Sequence, residues 1–195
     1  KNSLKTFILY LAPHKQNDKN VNICPMASKG CISACLYTAG RGKFSNVQNA
    51  RINKTNFYIY DKEMFVLKLA SEIIKETNKA KKNKEKIAFR LNGTSDIDFI
   101  YLLQKYAQLN IEDLKENAVF YDYTKILGKV KKYKNYSNYH LTFSRAEDNN
   151  SIAEAALNDG ANVAIVFRNG LPRFWRGYKV IDGDTSDILM IYNKN

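Results

Sequence analysis

The sequence predicts an α/β protein built on a mainly parallel β-sheet. Apolar segments of strand length alternate with segments of helical periodicity about five times along the 195 residues. This alternation is typical of parallel strands that are joined by crossover helices. The length suits one compact unit, and no sharp change in composition divides it, so residues 1–195 are expected to form a single α/β domain.

Six segments are predicted as strands, because β-branched, aromatic and other apolar residues dominate them. The first runs from Lys5 to Ala12 and is stopped by Pro13, which cannot continue a strand ladder. The other five cover residues 87–92, 118–123, 139–144, 162–167 and 188–192. The sheet is therefore expected to contain about six strands.

The clearest helical segment runs from Asp61 to about Asn78. Its apolar residues recur at helical spacing, and Asp61 and Glu63 suit the start of a helix. The lysine-rich run at residues 79–86 that follows is interpreted as a solvated helix end and loop. Shorter helices are predicted at residues 100–109, 126–134 and 151–157, and a helix is expected to open within residues 31–37.

The composition is strongly basic. The chain carries a net charge of +12 and a sequence pI of about 9.5, which favours contact with an anionic partner such as nucleic acid or a phosphorylated ligand. A composition rich in lysine and asparagine without any such role explains the same charge. No apolar run of about 18 residues occurs, so no membrane span is expected.

All three cysteines, Cys24, Cys31 and Cys35, lie in one short loop after the first predicted strand. An odd number leaves one thiol over in a disulfide framework, so the cluster favours metal ligation in a reducing cytoplasm. Three thiols leave one coordination position open, as in an iron-sulfur cube or a catalytic metal site. His14 lies close enough in sequence to supply a fourth ligand, which predicts a Cys3His zinc site instead.

Polar residues follow most of the predicted strands. Ligands of parallel α/β folds bind at the carboxyl ends of the strands, so these groups are expected to converge on the cysteine loop. They are Arg90, Asn92, Ser95 and Asp96; Asp122, Tyr123 and Thr124; Ser144, Arg145 and Glu147; and Arg168 with Asn169. Each of them alone is also typical of a helix cap or a turn.

Three further features leave alternatives open. Arg41 precedes, and Arg51 lies within, a polar stretch, residues 45–55, that would face either an anionic ligand or solvent. The carboxylates of Asp182, Asp184 and Asp187 suit a divalent cation, but their spacing favours a turn. The phosphate-binding glycine motifs of P-loop and dinucleotide-binding proteins are absent from the sequence, which excludes nucleotide chemistry of those kinds.

The cysteine loop and several short motifs around it resemble the phage- and plasmid-encoded gene product 88 family. The residues that carry the resemblance are Cys24-Pro25, Ala27-Ser28, Gly30-Cys31, Cys35-Leu36, Thr38 to Gly42, Ala50-Arg51 and Val180 to Asp184. The resemblance covers nearly the whole chain and implies a protein of phage or mobile-element origin, placed in the cytoplasm of the host cell.

More distantly, a three-cysteine loop after a first strand resembles the radical S-adenosylmethionine enzymes. That resemblance implies a partial (β/α) barrel and a [4Fe-4S] cluster held by Cys24, Cys31 and Cys35. It also implies that S-adenosylmethionine binds the open iron beside Asn92, Ser95, Asp96, Ser144 and Arg145. Arg41, Arg51, Arg90, Tyr123 and Arg168 are further candidate ligand contacts.

These observations lead to one expected function and one alternative. The expected protein holds a [4Fe-4S] cluster whose open iron binds a small molecule, and it acts as a radical-type or other iron-sulfur enzyme. The alternative is a basic nucleic-acid-binding accessory protein in which the cluster, or a Cys3His zinc site, has a structural role.

Overall fold

Five strands form one parallel sheet in the computed structural model, which describes residues 4–186 and 189–192. The strands pair in the order in which they occur in the chain, and every neighbouring pair is parallel. They are β1 (Lys5–Ile8), β2 (Ile87–Arg90), β3 (Ala118–Thr124), β4 (Tyr139–Ser144) and β5 (Asn162–Ala164). This sequential parallel order is that of a partial (β/α) barrel, so the predicted fold class is confirmed.

Helices connect the strands of this sheet, and a last helix follows all of them. They are α1 (Lys29–Ser33), α2 (Ser45–Tyr60), α3 (Lys62–Asn83), α4 (Phe99–Ala107), α5 (Leu127–Tyr133), α6 (Asn150–Asn158) and α7 (Leu189–Tyr192). After β5, two short antiparallel strands, β6 (Phe174–Trp175) and β7 (Tyr178–Lys179), form a hairpin. No helix in residues 4–186 and 189–192 is both long and apolar enough to cross a lipid bilayer.

The main hydrophobic core lies between the sheet and its helices. The rings of Phe7, Phe89 and Phe120 occupy paired positions on three adjacent strands and stack at centroid distances of 5.4 and 5.2 Å. Such cross-strand aromatic pairs stabilise a sheet because they bury large apolar surfaces in a fixed register. They fix the heights at which the strands end, and therefore the position of the loops at the carboxyl edge.

The predicted long helix is confirmed and is longer than expected. Asp61 caps α3, since its carboxylate accepts a hydrogen bond of 3.1 Å from the Met64 backbone N–H. The helix continues to Asn83 and ends at Lys84, whose φ of 56° is left-handed. Most of the lysine-rich run is therefore the exposed end of this helix.

The first predicted strand ends at Ile8 and not at Ala12, and the fifth ends at Ala164 and not at Phe167. Three other predictions also differ from the structure. The polar stretch at 45–55 belongs to α2, which was missed because its buried residues include Arg51 and Thr55 and do not form an apolar stripe. The first helix begins and ends earlier than expected, at Lys29 and Ser33. The last predicted strand is wrong over 189–192, which form α7; Ile188 lies outside the described residues.

The physical reason for the last error lies in the packing of α7. Its Ile191 packs against a cluster of Ala88, Val119 and Tyr121, which lies on the face of the sheet opposite the main core. A short apolar run can be buried either as a strand at a sheet edge or as a helical turn on a sheet face, and periodicity does not distinguish these outcomes.

The three-cysteine pocket

A pocket of about 220 Å³ opens at the carboxyl edge of the parallel sheet. The cysteine loop forms one wall through Cys24, Cys31 and Cys35. The ends of three strands form the other wall through Gly93, Thr94, Ser95, Asp96, Tyr123, Thr124, Lys125 and Ser144. The fold therefore brings together the cysteines and the polar strand ends, as expected for ligand sites of parallel α/β proteins.

A second, larger cavity of about 300 Å³ lies away from this edge. It is bounded by α5, β4 and the start of β5, and its lining includes Lys131, Tyr133 and His140. None of the three cysteines reaches it. The smaller pocket is the stronger site candidate, because it joins the chemically distinctive residues at the edge where such folds bind ligands.

The cysteine loop is fastened to the end of β4 by Glu147. Its carboxylate accepts hydrogen bonds from the Ser28 hydroxyl at 2.8 Å and from the Gly30 backbone N–H at 2.7 Å. Ser28 also caps α1, since its hydroxyl accepts from the Cys31 N–H at 3.1 Å. These bonds, together with the one from its own backbone N–H, lower the pKa of Glu147, so the loop is tied to an ionised carboxylate.

The three thiols differ in their surroundings. Cys31 is exposed, whereas Cys24 and Cys35 are half-buried. The Cys24 Sγ lies 3.5 Å from the His14 backbone nitrogen, which donates to it, and 3.5 Å from the Thr94 carbonyl oxygen, to which it donates. Burial, helped by the smaller effects of the Cys35, Asp96 and Cys31 charges, raises the pKa of Cys24 to about 11 in spite of the His14 backbone hydrogen bond, which lowers it. The metal-free thiol is therefore protonated at neutral pH, and a metal would replace that proton.

His14 meets Cys24 through its backbone, and its side chain is not part of the pocket lining. Across residues 4–186 and 189–192, no three histidine, cysteine or acidic side chains are grouped so as to hold a metal ion. The chemistry of the donor set still fits an iron-sulfur cluster, because three thiols and no fourth thiol line one pocket.

Asn92 and Ser95 use their polar atoms to build the turn that follows β2. The Asn92 side-chain oxygen accepts from the Ser95 hydroxyl and the Ile97 N–H, both at 2.8 Å. Its amide nitrogen donates to the Ile97 carbonyl at 3.0 Å and to the Asp122 carboxylate at 3.2 Å. Ser95 lines the pocket, while Asn92 supports the turn from beneath it.

The Asp96 carboxylate also has internal partners. It accepts from the Thr124 hydroxyl at 2.8 Å, from the Lys125 backbone N–H at 3.0 Å and from the Lys129 ammonium at 2.8 Å. The Lys129 side chain is only 5% exposed, so this is a largely desolvated ion pair. Asp96 therefore joins the turn after β2 to the end of β3 and to α5.

Lys125 is the charged pocket residue that the sequence analysis missed. It directly follows the last residue of β3, and its ammonium donates to the Ser144 hydroxyl at 2.7 Å. The available signal was its position, since a cation directly after an apolar and aromatic strand lies at the ligand-binding edge of a parallel sheet. The predicted set at this strand stopped one residue earlier, at Thr124.

The predicted arginines and Tyr123 lie in different places. Arg145 donates to Asn150 of α6 at 2.7 Å, and Arg41 and Arg168 are exposed; none of these three lines the pocket.

Arg51 is buried and donates to the Tyr37 carbonyl at 3.1 Å. Arg90 stacks over the ring of Tyr123, with 4.8 Å between the guanidinium carbon and the ring centroid, and Tyr123 itself lines the pocket.

The aspartate-rich segment near the end of the chain forms a turn at Gly183–Thr185. The Asp184 N–H donates to the Asp182 carboxylate at 3.0 Å, and the Thr185 hydroxyl donates to the Asp182 carbonyl at 2.9 Å. Asp187 lies outside the described residues. The turn predicted for Asp182 and Asp184 is present.

Comparison with known proteins gives one match. The sequence model of the family described as Gene product 88 matches residues 1–193. No curated protein and no solved structure matches the chain significantly. Because the match spans nearly every residue, including the cysteine loop and all five strands of the parallel sheet, the chain belongs to the gene product 88 family.

Proposed function

We propose that the protein holds a [4Fe-4S] cluster through Cys24, Cys31 and Cys35 and binds a small molecule at the remaining open iron. The observation that carries the proposal is that all three cysteines line one pocket at the carboxyl edge of a partial barrel. A cube with three protein ligands keeps one iron free for a ligand. The strand ends opposite the cysteines supply the groups that would contact that ligand.

The local structure of the loop supports metal binding. Cys31 lies on the short exposed helix α1 and Cys35 lies two residues beyond its end, so both can move toward Cys24 when a cluster binds. Cys24 is the fixed thiol, because the Ile23 backbone N–H donates to the His14 carbonyl at 3.1 Å and Thr94 accepts from its Sγ. Metal binding replaces the proton of the Cys24 thiol. The positive charge of the metal then offsets the free-energy cost of holding a thiolate away from water.

S-adenosylmethionine is one candidate for the ligand of the open iron, and it would make the protein a radical-type enzyme. The resemblance to radical S-adenosylmethionine enzymes motivates this part of the proposal. Of the residues that the resemblance implies, Ser95, Asp96 and Ser144 line the pocket, whereas Asn92 and Arg145 do not. The volume of about 220 Å³ is below that of most drug-sized ligand pockets, so a smaller molecule is the other candidate.

The deciding experiment is metal and sulfide analysis of protein purified without oxygen. We expect a brown protein with about four irons and four sulfides per chain, and with an electron paramagnetic resonance (EPR) signal after dithionite reduction. Addition of S-adenosylmethionine should change that signal if it binds the open iron. A colourless protein with one zinc per chain would contradict the proposal and favour a Cys3His site with His14.

Single replacements of the cysteines test which residues hold the cluster. Cys24→Ala, Cys31→Ala and Cys35→Ala should each lose most of the iron while circular dichroism shows a folded chain. The matched control is Ser33→Ala, because Ser33 lies on the same helix as Cys31, is exposed and donates to the Gly30 carbonyl of its own helix at 3.1 Å. Equal iron content in all four variants would show that the cysteines are not the ligands.

A second candidate function, nucleic-acid binding, is favoured by the hairpin β6–β7. Residues 160–181 contain four cations, Arg168, Arg173, Arg176 and Lys179, and no acidic residue. Phe174 is 55% exposed and is paired with Lys179 across the hairpin. An exposed aromatic ring beside cations is the arrangement on which bases stack while phosphates are neutralised.

The hairpin contacts α6 in a way that keeps Phe174 and Lys179 exposed. Arg176 pairs with Glu154 of α6 at 2.9 Å, and the Tyr178 hydroxyl donates to Asn158 at 3.3 Å. Because side chains alternate along a strand, Phe174 and Lys179 lie on the face opposite Tyr178. The exposed ring of Phe174 and the ammonium of Lys179 therefore share a face that is open to solvent.

The test is binding of a fluorescent single-stranded oligonucleotide over a range of salt concentrations. Phe174→Ala should weaken binding by about tenfold, because stacking contributes on the order of 1–3 kcal/mol per base. The matched control is Tyr60→Ala, since Tyr60 is 58% exposed and also lies under a lysine, Lys19, at 4.3 Å. No binding at low salt, or equal weakening by both variants, would contradict a site on the hairpin.

A further inference from the structure

We infer that Lys125, together with the Ser144 hydroxyl, recognises a carboxylate or phosphate group of the small molecule that occupies the three-cysteine pocket. This inference deepens the proposed function and rests on it, in that the same molecule would bind the open iron. It assigns the ligand a chemical class, a small molecule with a carboxylate or phosphate group, and it assigns Lys125 a binding role.

The position of Lys125 is fixed by the sheet. Thr124 of β3 pairs with Phe143 of β4, so the residues that follow each of them, Lys125 and Ser144, lie side by side at the carboxyl edge. The Lys125 backbone N–H donates to Asp96 at 3.0 Å, which orients the residue from behind. Its ammonium donates to the Ser144 hydroxyl at 2.7 Å, and both residues line the pocket.

The charges around the pocket leave Lys125 as a surplus cation. The Asp96 carboxylate is balanced by Lys129 at 2.8 Å and also accepts from the Thr124 hydroxyl. Glu147, whose pKa Lys125 helps to lower, accepts hydrogen bonds from Ser28 and Gly30. Both of these carboxylates therefore already have strong partners.

The ammonium of Lys125 has N–H donors that the contact with Ser144 does not use. A lysine ammonium has three N–H donors, and within the described ranges this one donates to the neutral hydroxyl of Ser144. A hydroxyl does not compensate a positive charge, whereas a ligand carboxylate or phosphate would do so through a charge-assisted hydrogen bond. Ser144 keeps its own proton, which it can donate to a second oxygen of the same anionic group.

The rest of the pocket limits the ligand further. Pro13, Met26, Ala27 and Ala34 contribute to the lining and form no charged contacts. A ligand with one anionic end and an apolar remainder therefore fits better than a polyanion such as a nucleoside triphosphate, whose further charges would face apolar side chains. A cationic end would be repelled by Lys125.

The test measures anion binding to anaerobic, iron-loaded protein by calorimetry at low ionic strength. The probes are butyrate and monobutyl phosphate, which each have one anionic end and an apolar remainder, with 1-butanol as the neutral control. Lys125→Met should weaken binding of the anions about tenfold or more, because hydrogen bonds to charged groups contribute more than neutral ones. Lys125→Arg, which keeps the charge, should retain most of the affinity, and Ser144→Ala should lose less than Lys125→Met.

Two controls separate this inference from the cluster proposal. Iron content and circular dichroism are measured for every variant, and Lys131→Met serves as the matched lysine control because Lys131 lies exposed on α5 and pairs with Asp159. Anion affinity that is equal in wild type and Lys125→Met overturns the inference, as does wild-type protein that binds neither anion. A lower iron content in Lys125→Met with unchanged anion affinity shows that Lys125 only balances the charge of the cluster, which also overturns it.

The cluster proposal fails separately if wild-type protein takes up no iron. Lys125-dependent binding of butyrate or monobutyl phosphate to that iron-free protein would then support the anion site alone. Preference for butyrate would identify a carboxylate ligand, and preference for monobutyl phosphate would identify a phosphorylated one.

Discussion

The backbone N–H of Asn92 donates a hydrogen bond of 2.7 Å to the carboxylate of Asp122. Asp122 is 1% exposed, and its second oxygen accepts from the Asn92 side chain and from the Tyr139 hydroxyl, both at 3.2 Å. This link joins the turn after β2 to the middle of β3. The buried carboxylate of Asp122 therefore stabilises the wall of the pocket that lies opposite the cysteines.

Replacing Asp122 tests how much this link stabilises the fold. Asp122→Ala leaves the buried donors of Asn92 and Tyr139 without an acceptor, so the free energy of unfolding should fall by about 3 kcal/mol. Urea unfolding measures the loss. Asp113→Ala is the control, because Asp113 lies exposed in a single 3-10 turn and should change stability by about 0.5 kcal/mol or less. Equal effects of the two changes would contradict the role of Asp122.

The same carboxyl predicts a pH dependence of stability. Burial raises the pKa of Asp122 from 3.8 to about 6, against the opposing effects of Lys129 and the Asn92 hydrogen bonds. The folded protein therefore binds this proton more tightly than the unfolded chain. Stability from this group is fully present below pH of about 4 and is lost as the pH rises to about 6.

Asp122→Asn isolates this contribution because it removes the titration and keeps the side-chain size. The difference in unfolding free energy between wild type and Asp122→Asn should decrease by up to about 3 kcal/mol between pH of about 4 and about 7. Urea unfolding of both proteins across that range measures it. A difference that does not vary with pH would show that Asp122 has an ordinary pKa in the folded protein.

Lys129 and Lys132 offer a comparison of a buried and an exposed ion pair on one helix. The Lys129–Asp96 pair lies at 2.8 Å with side chains 5% and 12% exposed, and the Lys132–Asp98 pair lies at 2.9 Å with side chains 47% and 29% exposed. Lys129→Met should destabilise the protein by about 3 kcal/mol, because it leaves a desolvated carboxylate without a counter-charge. Lys132→Met should cost about 1 kcal/mol or less. Similar losses in thermal or urea unfolding would contradict the difference in burial.

Sequence reasoning predicted the arrangement of the strand ends better than the role of each polar residue. The alternation of strands and helices indicated a parallel sheet, and that topology alone places the residues after β2, β3 and β4 at one edge. It does not show whether a polar side chain faces a ligand or another part of the chain. Asn92 was predicted as a ligand contact, but it completes the turn beneath the pocket.

Two other features could not be predicted from the pattern of apolar and polar residues in the sequence. The buried face of α2 includes Arg51, Thr55 and Tyr58, and a polar buried face gives no apolar stripe from which a helix could be predicted. Lys125 was missed because a single lysine after a strand is usually solvated, and its contact with Ser144 depends on the register between β3 and β4. Both required the packed structure.

Glu147 should control how firmly the cysteine loop is held. Glu147→Ala removes the acceptor of the Ser28 hydroxyl and the Gly30 N–H, so the loop should open more often without global unfolding. Alkylation of Cys31 and Cys35 in metal-free protein, followed by mass spectrometry, should become faster by several-fold. The neighbouring exposed acid gives the control, Asp148→Ala, which should leave the rate unchanged. Identical rates in both variants would show that Glu147 does not restrain the loop.

Arg51 should be the main link between α2 and the segment that leaves the cysteine loop. Its guanidinium donates to the Tyr37 carbonyl at 3.1 Å and stacks over the ring of Tyr10 at 4.7 Å. Lysine has no planar group with which to do both, so Arg51→Lys should cost about 1–2 kcal/mol and Arg51→Met about 3 kcal/mol.

Urea unfolding and the rate of tryptic cleavage after the exposed Arg41 measure these effects, and both should respond in the same order. Lys62→Met is the control, since Lys62 lies exposed over the Tyr58 ring at 5.4 Å and should cost about 0.5 kcal/mol. If Arg51→Lys were as stable as wild type, charge alone would explain the contact. The ability of the Arg51 guanidinium to stack on Tyr10 and donate to the Tyr37 carbonyl at the same time would then have no role in holding the loop.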